Sequence, residues 1–197
     1  MQSIAEIIKE FRNKKIEGKL ITFVPLNENY FESIVSLRNR EKNKYFLNQN
    51  SDLTVESQAN WYREYLKRNN DIYWCVFNKN GDFIGTNRIY DIANDRSVAE
   101  QGSFMVAEEF ANQAPLALES YLMSLDFAFD TICAQKIIND IRKDNSVMNN
   151  LSKSFGFEYQ GPNYLNGIEY NYYYLFKEKY QQKSKKVREL IEYWSQR

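Results

Sequence analysis

Any proton transfer in this chain must be done without histidine, for it has none. That absence removes His-based nucleophile activation, His general bases and His metal ligands together. Glu, Asp, Tyr, Lys, Cys and water remain. Among these, Glu100 is one carboxylate whose setting could suit a base. It opens the run Ala99-Glu100-Gln101-Gly102-Ser103-Phe104-Met105-Val106, which reads as a strand. A carboxyl half-buried in a strand has its pKa raised toward neutrality, where a general base is most effective. The competing reading is a strand-end carboxylate in solvent. Cys75 lies in the apolar run Tyr73–Phe77 and Cys133 stands far from it in sequence. A buried thiol suits Cys75 better than a bridge, and two isolated cysteines do not make a zinc site, so no metal is expected.

The elements that must position these residues are legible from spacing. Ser3 and Glu6 have capping-box spacing, and Ile4, Ile7, Ile8 and Phe11 follow at helical intervals. Lys19–Leu26 reads as a strand, residues 29–40 as a helix, and Thr54 as the N-cap of a further helix carrying Val55, Ala59, Tyr62 and Leu66. Two strand-like runs flank Asn80-Gly81, a strong hairpin signal. The Glu100 strand is followed by a loop over 107–114, a helix begun by Pro115, a strand at Lys136–Arg142, and a helix closed by Gly156. Two more strand-like runs, Phe157–Gln160 and Ile168–Phe176, precede a last helix over 178–197, whose Val187, Leu190, Ile191 and Trp194 are in phase. Strands alternating with helices imply an α/β fold: a mixed sheet of about seven strands with helices on both faces. The whole chain, 1–197, is expected to be one domain, with a core over about 19–176 and terminal helices at 3–12 and 178–196.

Composition narrows the function classes. The 197 residues are 43% hydrophobic and 16% aromatic, which suits a packed core, and 26 basic residues balance 26 acidic ones. With no net charge there is no global field to attract nucleic acid or a membrane surface, and neither partner is expected. The basic run Lys183–Arg188 has the pattern of a solvated helix face. No apolar run approaches membrane-spanning length, and the first residues lack the apolar core of a signal peptide, so a cytoplasmic location is the expectation.

The order of pieces between Glu100 and Gly156, with Leu125-Asp126-Phe127-Ala128-Phe129 ending one helix and Asp144–Phe157 following the next strand, resembles the acetyl-CoA-binding half of the GNAT superfamily of N-acetyltransferases. The likeness covers roughly Lys19 to Phe176. It implies a single-domain N-acetyltransferase that uses acetyl-CoA, no metal, and a small-molecule amine. Glu100 matches the base that accepts the amine's proton, frequently through water. Backbone groups of Phe104, Met105 and Val106 match those lining the thioester and pantetheine, with the N–H of Met105 or Val106 as oxyanion donor. The pyrophosphate loop corresponds to Asn112-Gln113-Ala114-Pro115-Leu116-Ala117. Its family glycines are gone, Asn112 or Gln113 takes the leading polar position, and Pro115 has no N–H to give. Asn145 matches the Asn that caps the following helix and helps hold coenzyme A. Ser152 stands where many members carry the Tyr that protonates the departing thiolate. A serine hydroxyl is too weak an acid for that role, so Tyr159 or water is the alternative donor.

On the acceptor side, residues 36–48 and 55–66 resemble the helices of GNAT members that acetylate nucleotide-linked amino sugars. Arg38, Asn39 and Trp61 carry this likeness, with Arg38 able to meet a phosphate and aromatic faces able to stack on a sugar or base. Tyr164, Tyr170 and Tyr172 are candidates to close the pocket. The same helices also resemble the protein N-terminal acetyltransferase branch, so a protein or peptide amine is a second expectation. A non-catalytic acyl-CoA-binding module is a third, favoured by Pro115 and Ser152. The apolar phase of the last helix needs a covering surface, either this chain's own sheet or a second subunit in a homodimer.

Overall fold

The computed structural model describes residues 2–113 and 115–197. An eight-stranded sheet runs in the order β1-β2-β3-β4-β5-β6-β8-β7. Its strands are β1 Ile16–Glu17, β2 Ile21–Pro25, β3 Ile72–Asn78, β4 Phe83–Tyr90, β5 Ala99–Val106, β6 Lys136–Arg142, β7 Glu158–Leu165 and β8 Ile168–Phe176. Every pairing is antiparallel except that of β5 with β6. The extra strand relative to the sequence reading is β1, whose two residues are too few to carry an alternation.

Side chains alternate across the sheet. On one face Ile72, Trp74, Val76, Ile137 and Tyr173 meet α1 (Ile4–Phe11), α6 (Leu116–Asp126) and the π-helical turn Phe127–Thr131. On the other, Tyr73 and Cys75 meet Phe31 and Ile34 of α2 (Phe31–Arg38) and Tyr65 of α4 (Val55–Leu66). Local chemistry fixes the helix starts. Ser3 and Glu6 form the expected capping box on α1, and Thr54 forms one with Ser57 on α4. The Asn78–Asp82 turn carries Gly81 at φ +87°, a left-handed position that suits glycine. Buried Glu119 of α6 accepts the backbone N–H groups of Lys19, Leu20 and Ile21 at 2.7–3.0 Å, so one carboxylate satisfies three donors where the chain enters β2.

The decisive departure from regularity lies in β5. Thr86 pairs with Met105 and Arg88 with Gly102, so two steps on β4 oppose three on β5. The extra residue is a bulge at Ser103, whose φ is +47°. Ala99 and Gln101 face the α6 side; past the bulge that side receives Phe104, while Met105 packs toward Leu37 of α2. The bulge also turns β5 away from β6. The two pair only at Ala99↔Ile137 and Glu100↔Ile138 and then part.

Three sequence readings need correction here. The helix expected over 29–40 is a short turn at Glu28–Tyr30 followed by α2, and a separate α3 (Glu41–Phe46) follows it. The segment after Gly156 is one bulged strand running through Gly161-Pro162, with the turn at Asn166-Gly167. The last helix is broken at Ser184 into α8 (Lys177–Lys183) and α9 (Lys185–Ser195). Of its in-phase residues Ile191 is buried and Val187 packs beside the core, whereas Leu190 and Trp194 are exposed. Among the described residues no helix is long and apolar enough to cross a membrane.

Candidate active site

The parting of β5 and β6 opens a cleft of about 480 Å³. Its floor is Gln101–Val106 of β5 and Asn139–Arg142 of β6; its walls come from Ala117 and Leu118 of α6, from Asn145, and from Val147, Met148 and Leu151 of α7 (Ser146–Ser154). Lys42, Asn43, Phe46 and Leu47 close it from the α3 side. That strap is tied down at both ends. Arg40 donates two hydrogen bonds to Glu109 of α5 (Glu108–Ala111) at 2.6 and 2.9 Å. Arg142 of β6 stacks under the Tyr45 ring at 3.9 Å and donates to the Tyr45 carbonyl and to Asn48, while the Tyr45 hydroxyl donates to Asp144.

A second cavity of about 380 Å³ lies on the α2/α4 side of the same bulge. Arg38, Gln58, Trp61, Tyr73, Arg88, Tyr90, Glu100 and Asp140 line it. Gln101, Gly102 and Ser103 line both cavities, so the bulge is the partition between them. Glu100 faces the second cavity. Burial pushes its carboxyl up to about 6, with Asp140 and Asp91 adding to the rise while the Tyr90 hydroxyl and Arg88 oppose it. Such a group is ionised at neutral pH and still basic enough to take a proton. Arg88 is fixed by Asp71, which accepts its Nε at 2.8 Å and its Nη2 at 2.6 Å, and the guanidinium stacks on Tyr90 at 4.3 Å and near Trp61 at 5.4 Å. Among the described residues no group of His, Cys, Asp and Glu is arranged to hold a metal ion.

The match to known families follows this geometry. Residues 21–158 fit the model of the acetyltransferase (GNAT) domain. The chain belongs to the GNAT family. Solved GNAT structures share its fold: a nucleotide-linked sugar GNAT named FdhC, in its apo form, has 24% identity and a TM-score of 0.77 over 91% of this chain and 99% of that one. A GCN5-related N-acetyltransferase from Brucella melitensis has 16% identity and a TM-score of 0.76 over 91% of this chain and 86% of that one. Spermidine N-acetyltransferase from Vibrio cholerae, in complex with CoA and spermine, has 18% identity and a TM-score of 0.74 over 83% of this chain and 99% of that one. No curated protein matches the sequence.

The two cavities bring together many of the residues singled out from sequence. Phe104, Met105, Val106, Gln113, Ala117 and Asn145 line the cleft, and Arg38, Trp61 and Glu100 line the second cavity. Asn145 caps α7 by accepting the Met148 N–H at 3.2 Å. Pro115 lies just outside α6, which starts at Leu116; by helix geometry the N–H groups of Ala117 and Leu118 have no intrahelical acceptor. Ala114 lies outside the described residues.

Other residues singled out from sequence lie elsewhere or are engaged in other contacts. Leu116 packs into the core, and Asn112 is exposed without lining the cleft. Asn39 is occupied in binding the Leu53 backbone and Gln49, which holds the loop before α4. Tyr170 lines the cleft instead of the second cavity, its hydroxyl accepting from Asn48. Tyr159 and Tyr164 sit exposed on the edge strand β7, line neither cavity, and Tyr159 packs edge-on against Tyr173. Ser152 is fully buried with its hydroxyl 2.8 Å from that of Tyr121, so it cannot reach a departing group in the cleft. The strap, within the segment 36–48 read as acceptor-side, also lines the cleft, and Tyr90 and the Asp71–Arg88 pair were missed. Tyr90 had a usable signal, since it ends the strand that must pair with the one Glu100 begins.

Proposed function

We propose that the chain transfers the acetyl group of acetyl-CoA to the primary amine of an amino sugar, one linked to a nucleotide. The observation that carries this reading is the pair of cavities meeting at the β5 bulge, with Glu100 on one side and the N-terminal turn of α6 on the other. The cleft fits the acyl donor: its walls are largely apolar, and the Ala117 and Leu118 N–H groups at the α6 N-terminus suit a pyrophosphate. Pro115 lacks the N–H that a glycine would offer, and Lys42 supplies positive charge along the same cleft, whereas Arg142 there is paired with Asp144. Bound there, acetyl-CoA supplies an activated acyl group.

The chain's own residues then have distinct tasks. Glu100 accepts the amine's proton, directly or through water. Beyond Glu100, alternate N–H groups of β5 lose β6 as an acceptor; the Ala107 N–H bonds Ile84 of β4, so by alternation the Val106 N–H, and not that of Met105, is the one turned from β4 to donate to the oxygen on which charge develops. With Ser152 sealed and Tyr159 remote, protonation of the departing thiolate is assigned to water in the open cleft.

Arg38 favours the sugar-nucleotide acceptor. Among the described residues it makes no ion pair, and it lines the second cavity beside Trp61. A free guanidinium attracts a phosphate and repels a polyamine. Asp140, which also lines this cavity, is the feature that favours a polyamine instead.

Acetyl-CoA at 100 times its Kd should stabilise the fold by about 2.7 kcal/mol, a rise in Tm of roughly 5–10 °C for a domain of this size. An unchanged Tm in folded protein would remove the cofactor assignment. Thiol release with nucleotide-linked amino sugars, polyamines and peptide α-amines would then rank the acceptors; preference for a polyamine would overturn the sugar reading.

A further inference from the structure

The Glu100 carboxylate is not held by backbone. Its partner is the hydroxyl of Tyr90, its register neighbour across the β4–β5 ladder, which donates to one carboxylate oxygen. We propose that Tyr90 is a positioning residue for acetyl transfer, anchoring one oxygen of Glu100 so that the other is presented to the acceptor amine. This goes beyond the assignment of Glu100 as base and rests on it.

Three features make the contact a built one. Gly102, two residues after Glu100, leaves the space the Tyr90 ring fills: a Cβ there would lie 2.9 Å from Tyr90 Cε1 and 3.1 Å from its hydroxyl. Arg88, clamped by buried Asp71, lies over the Tyr90 ring at 4.3 Å and fixes it from the other side. Tyr90 and Glu100 line the same cavity, together with Gly102. The ring is thus confined between a guanidinium and a glycine, and its hydroxyl has one carboxylate to serve.

The charged and titratable groups around Glu100 come from four places. Tyr90 and Arg88 lie on β4 and Asp91 directly after it; Asp140 lies on β6, and Tyr172 on β8. Asp140 and Asp91 favour the protonated acid, as burial does, while Tyr90 and Arg88 favour the carboxylate. Tyr90 is itself pushed upward by burial and by Glu100, so it stays protonated and acts as a donor throughout the neutral range.

Two variants test the role. Tyr90→Phe removes the hydroxyl at constant shape. Gly102→Ala keeps the hydroxyl but displaces the ring. Protein carrying ¹³C-labelled glutamate reports the Glu100 titration directly, with its resonance assigned by loss in Glu100→Gln. Both variants should raise the midpoint by about one pH unit, the scale of a hydrogen bond to a charged group. The acid limb of kcat/KM for the best nucleotide-linked amino sugar should move up with it. At pH 6 kcat/KM should fall about fivefold, with the KM for acetyl-CoA unchanged in Tyr90→Phe, whose side chain does not line the acetyl-CoA cleft. A midpoint that stays in place in Tyr90→Phe overturns the contact. A midpoint that moves without the rate profile overturns its role in the reaction. The underlying assignment fails separately: if Glu100→Gln keeps the acid limb, Glu100 is not the base, whatever Tyr90 does.

Discussion

Replacing Glu100 by Gln is expected to lower kcat by about 10²–10⁴-fold, the usual contribution of a positioned general base, while acetyl-CoA binding is retained. The carboxylate faces the second cavity, across the bulge from the cleft assigned to the donor, so its loss leaves that cleft's lining intact. Wild-type kcat/KM should rise with pH through about 6, where the carboxyl ionises, and the Gln variant should lose that limb. The same substitution should make the protein more stable at pH 7. Burial raises Glu100 from its ordinary 4.5, so the folded chain holds this proton more tightly than the unfolded one. The group's favourable contribution is full below pH 4.5 and is lost as pH rises through about 6. Glutamine carries no charge to desolvate and can still accept from Tyr90, so the variant should gain about 1–2 kcal/mol at neutral pH. Slow turnover with a raised Tm is the signature. Wild-type rates at every pH would remove Glu100 from the mechanism, and an inactive variant with a lowered Tm would point to misfolding instead.

How much of this site can be read from sequence depends on what each part leaves as a pattern. The capping boxes at Ser3 and Thr54 and the turn at Gly81 are local hydrogen-bond devices with fixed spacing, and the structure contains all three. The alternation of β6, buried at every second residue, is equally local. The bulge is different. It requires a left-handed residue, and the chain uses Ser103 where a glycine would have marked the place. Resemblance singles out residues 36–48, but the strap's place over the cleft is not legible, because Glu41–Phe46 is only six residues long and buries none of them; its position comes from long-range contacts of Arg40, Tyr45 and Asn48. Ser152 looks like a surface residue between Leu151 and Lys153, yet it is buried because small side chains let α7 approach Tyr121. Leu190 and Trp194 share a helical phase with Ile191, but the break at Ser184 redirects α9 so that only part of that stripe meets the core. Periodicity identifies a face; it does not say what lies opposite.

Asp71→Ala should be the more damaging change to the fold. Asp71 is 1% exposed and sits at the start of β3, where it joins three arginines. Its carboxylate accepts from Arg88 Nε and Nη2 and from Arg68 at 3.1 Å, and its carbonyl accepts from Arg12 at 2.8 Å. The Ala variant keeps the carbonyl contact but leaves Arg88, with 13% of its side chain exposed, as an uncompensated charge against the second cavity. Breaking a buried pair in this way costs about 3–5 kcal/mol, roughly a 10 °C loss in Tm at this chain length. Arg68 matters less, because its side chain is 43% exposed and water can replace the lost partner. The cost should appear in function as well. Arg88 would leave its position over Tyr90 and Trp61, so the acceptor KM should rise while the acetyl-CoA KM stays near its wild-type value. Removing the stranded charge provides the control: Asp71→Ala combined with Arg88→Met should recover part of the stability, since the penalty belongs to the unpaired cation more than to the missing bond. Chemical denaturation of the two single variants and the double variant measures this. An Asp71→Ala protein within 1 kcal/mol of wild type, or a double variant less stable than Asp71→Ala alone, would show that the pair is not what anchors this wall of the site.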